Sequence, residues 1–147
     1  MIDDRSKKNI ATLHRQVQPL ATSLIDQAVA QGIHVKVISG LRTYAEQDAI
    51  YAQGRTKPGA IVTKAKAGYS WHNFGLAFDV GIFSADGKKY FGESPDYKRV
   101  GAIGRSIGLE WGGDWQGFKD EPHFQYVKGK SMAQLREAKA AGKDVLA

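Results

Sequence analysis

The sequence predicts an α+β fold: one small domain with a mainly antiparallel sheet and flanking helices. Three observations carry that prediction. Ile33 to Ser39 and Leu76 to Val80 are short runs rich in apolar, β-branched or aromatic residues, the composition of strands. Ser6 to Gln31 instead repeats apolar residues at three- and four-residue steps, the period of a helix face. The turn signal Ala85-Asp86-Gly87 follows the second strand and suggests a hairpin.

The elements follow in order. In the first helix, Leu13, Val17, Leu20, Leu24, Ile25 and Val29 form one apolar stripe. Pro19 is placed to kink it or divide it in two, and Gly32 suits the position after its end. Thr43-Tyr44-Ala45-Glu46 has the form of a capping box. The helix it opens is expected to run to about Gln53 and stop at Gly54. Arg55 to Tyr69 reads as a loop, broken by Pro58, Gly59 and Gly68 and charged by Lys57, Lys64 and Lys66. It is either part of a site wall or simply solvated. Beyond the hairpin, which returns through Lys88 to Phe91, Pro95-Asp96-Tyr97 opens a helix to about Ile107. Leu109 to Trp111 and Pro122 to Val127 read as strands around a turn at Gly112 to Trp115. Ser131 with Gln134 caps a last helix through Ala140.

At 147 residues the chain is long enough for one domain with a real core, and no linker, repeat or low-complexity tract divides 1–147. No apolar run is long enough to span a bilayer. The N-terminus lacks the pattern of a secretion signal, so synthesis without export by that route is expected. Cysteine is absent, which excludes disulfides and thiolate metal sites and leaves His, Asp and Glu as ligands. The net charge is +6 and the pI about 9.5. That balance favours anionic partners. The basic residues are spread along the chain rather than gathered into one tract, which argues against nucleic acid.

The residues with the most chemistry lie in Ser70-Trp71-His72-Asn73-Phe74-Gly75-Leu76-Ala77-Phe78-Asp79-Val80. An aspartate inside an apolar strand is costly unless something neutralises it. A cation would do so, and His72 stands on the approach to the strand, with Gly75 allowing a tight turn between them. Asp120-Glu121-Pro122-His123 adds a second histidine and two carboxylates. Two histidines and one carboxylate form a recurrent catalytic zinc set, and a further carboxylate can serve as base. His72, Asp79 and His123 are the candidate ligands, and Asp120 the candidate base with Glu121 its rival, a choice that spacing leaves open. Arg42, between a strand end and a helix start, either faces a cleft or lies on the surface. Trp71, Trp115 and Phe124 flank these motifs as groove or core aromatics. His14 and His34 are read as ordinary surface or strand histidines.

Ser-x-His-x3-Gly-x-Ala-x-Asp, spelled out by Ser70, His72, Gly75, Ala77 and Asp79, precedes the acid-x-x-His element of Asp120 and His123, with Ser39-Gly40-Leu41-Arg42 upstream. Together these resemble the M15 peptidases, the LAS or VanY-like metallopeptidases of D-Ala-D-Ala dipeptidases and carboxypeptidases. The likeness is strongest to the L-alanyl-D-glutamate endopeptidases of phage endolysins and bacterial wall hydrolases. It spans Arg5 to Tyr126. The resemblance implies the LAS/hedgehog-like fold, Zn2+ on His72, Asp79 and His123, Asp120 as catalytic base, and Arg42 as a residue that binds substrate or stabilises the oxyanion. It implies a zinc-dependent hydrolase cleaving L-Ala-D-Glu in peptidoglycan, a monomeric phage endolysin that is made in the host cytoplasm and acts on the wall after release. From the length, no separate wall-binding domain is expected. Two alternatives are a D-Ala-D-Ala carboxypeptidase or dipeptidase, and a non-catalytic wall-binding module of the same fold.

Overall fold

A computed structural model describes residues 2–147; Met1 lies outside the described residues. The sheet contains β1 (His34–Ser39), β2 (Ala77–Phe83), β3 (Tyr90–Phe91), β4 (Glu110–Trp111) and β5 (His123–Gln125). The order is β1-β2-β5-β4, and β3 pairs with β2 beyond the end of β5. Every pairing between these strands is antiparallel, as expected. β2 extends three residues past the expected Val80, because β1 and β3 hold its far half on both edges. β5 is shorter than the expected Pro122 to Val127, since only His123 to Gln125 have strand partners.

Among the described residues, five α-helices accompany the sheet: α1 (Asp4–Ile10), α2 (Gln18–Ala30), α3 (Tyr44–Ala52), α4 (Asp96–Ser106) and α5 (Met132–Ala140). Both expected capping boxes form, at Thr43/Glu46 and Ser131/Gln134. The single helix expected over Ser6 to Gln31 is two helices. The break lies upstream of Pro19, which sits in the first turn of α2 where no amide is needed. Between the helices the chain turns so that the His14 amide donates to the Gly75 carbonyl at 2.9 Å. Leu13 and Val17 are buried as the apolar stripe suggested, but from this connection rather than from a helix.

Alternation along the strands sorts side chains to two faces. Phe78, Val80 and Ile82 of β2 join Val35 and Val37 of β1, Phe124 of β5 and Trp111 of β4 in one core. Leu24 and Ile25 of α2 and Tyr97, Val100 and Ile103 of α4 close that core from the helix side. Phe124 is fully buried and stacks on Phe78 at 5.8 Å, so it is core and not groove. The intervening residues Asp79, His123 and Gln125 point the other way.

β1 is an edge strand, and α1 covers its outer side. The Val37 amide donates to Ser6 Oγ at 2.9 Å, and Asn9 Nδ2 donates to the Val37 carbonyl at 2.8 Å. An irregularity between Val37 and Ser39 then changes the register: Val37 faces Val80, and Ser39 faces the adjacent Asp79. A bulge of this kind re-aims a side chain. Here it turns Ser39 from the core face to the site.

Candidate metal centre

Three ligand atoms converge on the open face of the sheet. His72 comes from a 3₁₀ turn, Trp71–Phe74, that ends on Gly75 at φ 69°. Ser70 caps this turn, and a Cβ at Gly75 would lie 2.9 Å from the His14 amide nitrogen, so the position requires glycine for both conformation and space. Asp79 and His123 are direct cross-strand partners on β2 and β5. His72 Nε2 lies 3.3 Å from one Asp79 oxygen, and His123 Nδ1 lies 3.3 Å from the other. The three donor atoms all lie within 4.8 Å of one another.

The donors fit zinc. His72 Nδ1 is 2.9 Å from the Gly40 carbonyl, so that nitrogen donates and leaves Nε2 as the inward lone pair. His123 Nε2 is 2.8 Å from Gln125 Oε1, which leaves Nδ1 inward. Ser39 Oγ donates to Asp79 at 2.9 Å. Two imidazole nitrogens and a carboxylate oxygen, each oriented by a further hydrogen bond, form a catalytic rather than a closed structural donor set.

Charge follows the same geometry. Burial pushes the Asp79 carboxyl up, but hydrogen bonds from His123 and His72 outweigh it and hold the group well below the usual carboxylate range. Burial lowers His123, yet the bond to Asp79 and its charge raise it overall.

Asp120 shares the cleft with this cluster, and burial followed by the Asp79 charge raises its carboxyl above the usual range. Its amide donates to the Gly112 carbonyl at 3.0 Å. A Cβ at Gly112 would collide with the Asp120 carbonyl, so the glycine permits the close approach that places this carboxylate. Glu121 does not line the cleft. Its carbonyl accepts from Trp111 Nε1 at 2.7 Å.

The cleft has a volume of about 730 Å³. Arg42 lines it, held by a bond from Nη1 to Gln47 Oε1 at 3.1 Å. Gln47 is fully buried and also donates to the Ala65 carbonyl at 2.6 Å. Asn73 bonds Gln47, the Arg42 carbonyl and the Gly68 amide. The loop is thus tied to the site as a wall. Ile61 to Ala65 and Tyr69 line the cleft, and Lys64 is the lysine of the basic loop that does so. Trp71 and Trp115 also line it, with the Trp115 ring 5.0 Å from that of His123. His34 is exposed on β1, whereas His14 bonds Asp144 at 2.7 Å.

All four candidate residues of the zinc and base set, and Arg42, therefore meet in one place. Ser39, Gln47, Asn73, Gly112 and Gln125 support them and are not singled out by their types. Gln125 has one local signal: alternation puts it on the same face as His123.

Comparison with known proteins agrees with this arrangement. The model of the family VanY: D-alanyl-D-alanine carboxypeptidase matches residues 10–129. The peptidoglycan L-alanyl-D-glutamate endopeptidase CwlK of Bacillus subtilis (strain 168) is 42% identical over 123 residues, 78% of this chain and 74% of that protein. The L-alanyl-D-glutamate peptidase of Listeria phage A118 is 34% identical over 125 residues, 83% of this chain but 41% of that longer protein. Among solved structures, the Serratia marcescens L-Ala D-Glu endopeptidase ChiX aligns with a TM-score of 0.61 at 26% identity, over 84% of this chain and 86% of that one. With its fold, its donor set and most of its length in agreement, the chain belongs to the VanY family of M15 zinc peptidases.

Proposed function

We propose that the protein is a zinc-dependent endopeptidase that hydrolyses the L-Ala-D-Glu amide of the peptidoglycan stem peptide. The carrying observation is the convergence of His72, Asp79 and His123 with Asp120 in one cleft. The similarity to CwlK and ChiX, both named as endopeptidases of that bond, supports the bond assignment. The rim of the cleft favours it over action on a free dipeptide. Ile61, Val62 and Phe118 line it yet are 58%, 60% and 80% exposed, so the walls open to solvent and accept a chain that continues past the site.

His72, Asp79 and His123 would hold a zinc ion, which when bound would supply a Lewis acid to acidify a water and polarise the scissile carbonyl. The protein does the rest. Asp120 takes the proton of the attacking water and delivers it to the leaving amine. Arg42 presents a fixed cation to the developing oxyanion or to the D-Glu carboxylate. Mass spectrometry of digested peptidoglycan tests the assignment: new amino termini on D-Glu support it, and new termini on D-Ala or diaminopimelate alone reject it.

The positive charge acts over a longer range, holding the enzyme near an anionic envelope. Such attraction is screened beyond roughly 8 Å at physiological salt, while contacts inside a cleft are screened less. Added salt is therefore expected to slow hydrolysis of intact sacculi more than that of a short soluble stem peptide. Equal salt sensitivity would remove the charge argument. The reading also includes action as a monomer and release to the wall from the cytoplasm of a phage host.

A further inference from the structure

We infer that Glu110 and Gln125 act as a relay of positioning residues that keeps the His123 proton on Nε2 and so aims Nδ1 at the metal. The inference rests on the reading of His72, Asp79 and His123 as zinc ligands.

The two histidines are oriented by different means. His72 donates to the Gly40 backbone carbonyl, an acceptor no substitution removes. His123 faces a side chain, Gln125 Oε1, at 2.8 Å. An amide is ambiguous as an orienting group: turned one way it offers an oxygen acceptor, turned the other an NH2 donor. With NH2 toward His123, Nε2 would have to accept, the proton would move to Nδ1, and the inward lone pair would be lost.

Glu110 removes the ambiguity. It is the cross-strand partner of Gln125 on β4, so both side chains lie on the same face of the sheet. Gln125 Nε2 donates to Glu110 Oε1 at 3.3 Å. A carboxylate only accepts, so it draws the NH2 and leaves Oε1 to His123. Oε1 in turn only accepts, so the imidazole must donate from Nε2. Each link is forced by the one before it. The chain runs from an exposed acid, through a buried amide with 6% exposure, to the ligand.

The test uses the full chain and two measurements. The first is zinc affinity by competition with a chromophoric chelator. The second is the hydrogen bond of His123 Nε2–H, read as its solvent exchange by nitrogen-15 NMR of the zinc-loaded protein. Wild type is expected to show an Nε2–H protected from exchange by Gln125 Oε1. Gln125→Leu, which removes the acceptor, is expected to bind zinc about 10–100-fold more weakly. Glu110→Lys sits on the surface, where folding is least at risk. It presents a donor, turns the amide over, leaves the Nε2–H without its acceptor and weakens zinc binding in the same direction. The double variant Glu110→Gln with Gln125→Glu restores both an acceptor for His123 and a donor for position 125, and its affinity is expected to return toward wild type. A zinc-loaded wild type whose Nε2–H exchanges as freely as that of Gln125→Leu overturns the relay. So does wild-type affinity in both Gln125→Leu and Glu110→Lys. Failure of wild type to bind zinc would overturn the ligand reading instead, and the relay with it. Wild-type zinc affinity is measured before any variant, so it keeps the two failures apart.

Discussion

Asp120→Asn is expected to lower turnover by about 10²–10⁴-fold, the range of a lost general base, while the protein keeps its zinc. Asparagine preserves the size of the side chain and its place beside Gly112 but cannot take a proton. The ligand set is untouched, so elemental analysis should find as much metal as in wild type. Glu121→Gln serves as the control. Glu121 does not line the cleft, and the substitution should change turnover little. If the two variants ranked the other way, the base would be Glu121.

His72→Ala is expected to abolish both metal binding and activity. The ligands come from a 3₁₀ turn and two strands, so zinc binds only the assembled fold and stabilises it. At a free zinc concentration about a thousandfold above Kd this stabilisation is about 4 kcal/mol. For a chain of this length each kcal/mol is worth roughly 2–4 °C in Tm. Chelator should therefore lower the wild-type Tm by about 10 °C, whereas His72→Ala should melt at one temperature with and without chelator. Full activity in His72→Ala without bound metal would defeat the zinc reading.

The residues that do chemistry were legible because their types are costly where they stand. Asp79 in an apolar strand needs a counter-charge, and His72 and His123 answer it at spacings that two strands and a turn bring together. Spacing left the choice of Asp120 over Glu121 open and the resemblance named Asp120; the fold puts Asp120 in the cleft and leaves Glu121 outside it. The supporting residues were illegible for a physical reason. Ser39 reaches Asp79 only because of a bulge, and Gln47 holds Arg42 only because the 55–69 loop returns over α3. The Ser39–Asp79 and Gln47–Ala65 bonds join distant segments, and neither Ser39 nor Gln47 is an unusual residue type. The split between α1 and α2 was hidden likewise: Leu13 and Val17 are buried as a helix stripe would be, yet tertiary bonds, not periodicity, decide the backbone there. Phe124 read as a possible groove residue because it adjoins His123, and strand alternation sends it into the core.

The position of β5 also governs the order in which the molecule comes into being. It is the last strand made, yet it lies between β2 and β4 and completes the centre of the sheet. Its pairing with β2 joins residues far apart in the chain, the slow and non-local kind of contact. A nascent polypeptide still short of Asp120 holds two ligands, no base and no third donor. Termination before Asp120 therefore yields inert fragments rather than partly active ones. Destructive capacity is acquired in one step, when the final strand slots into place.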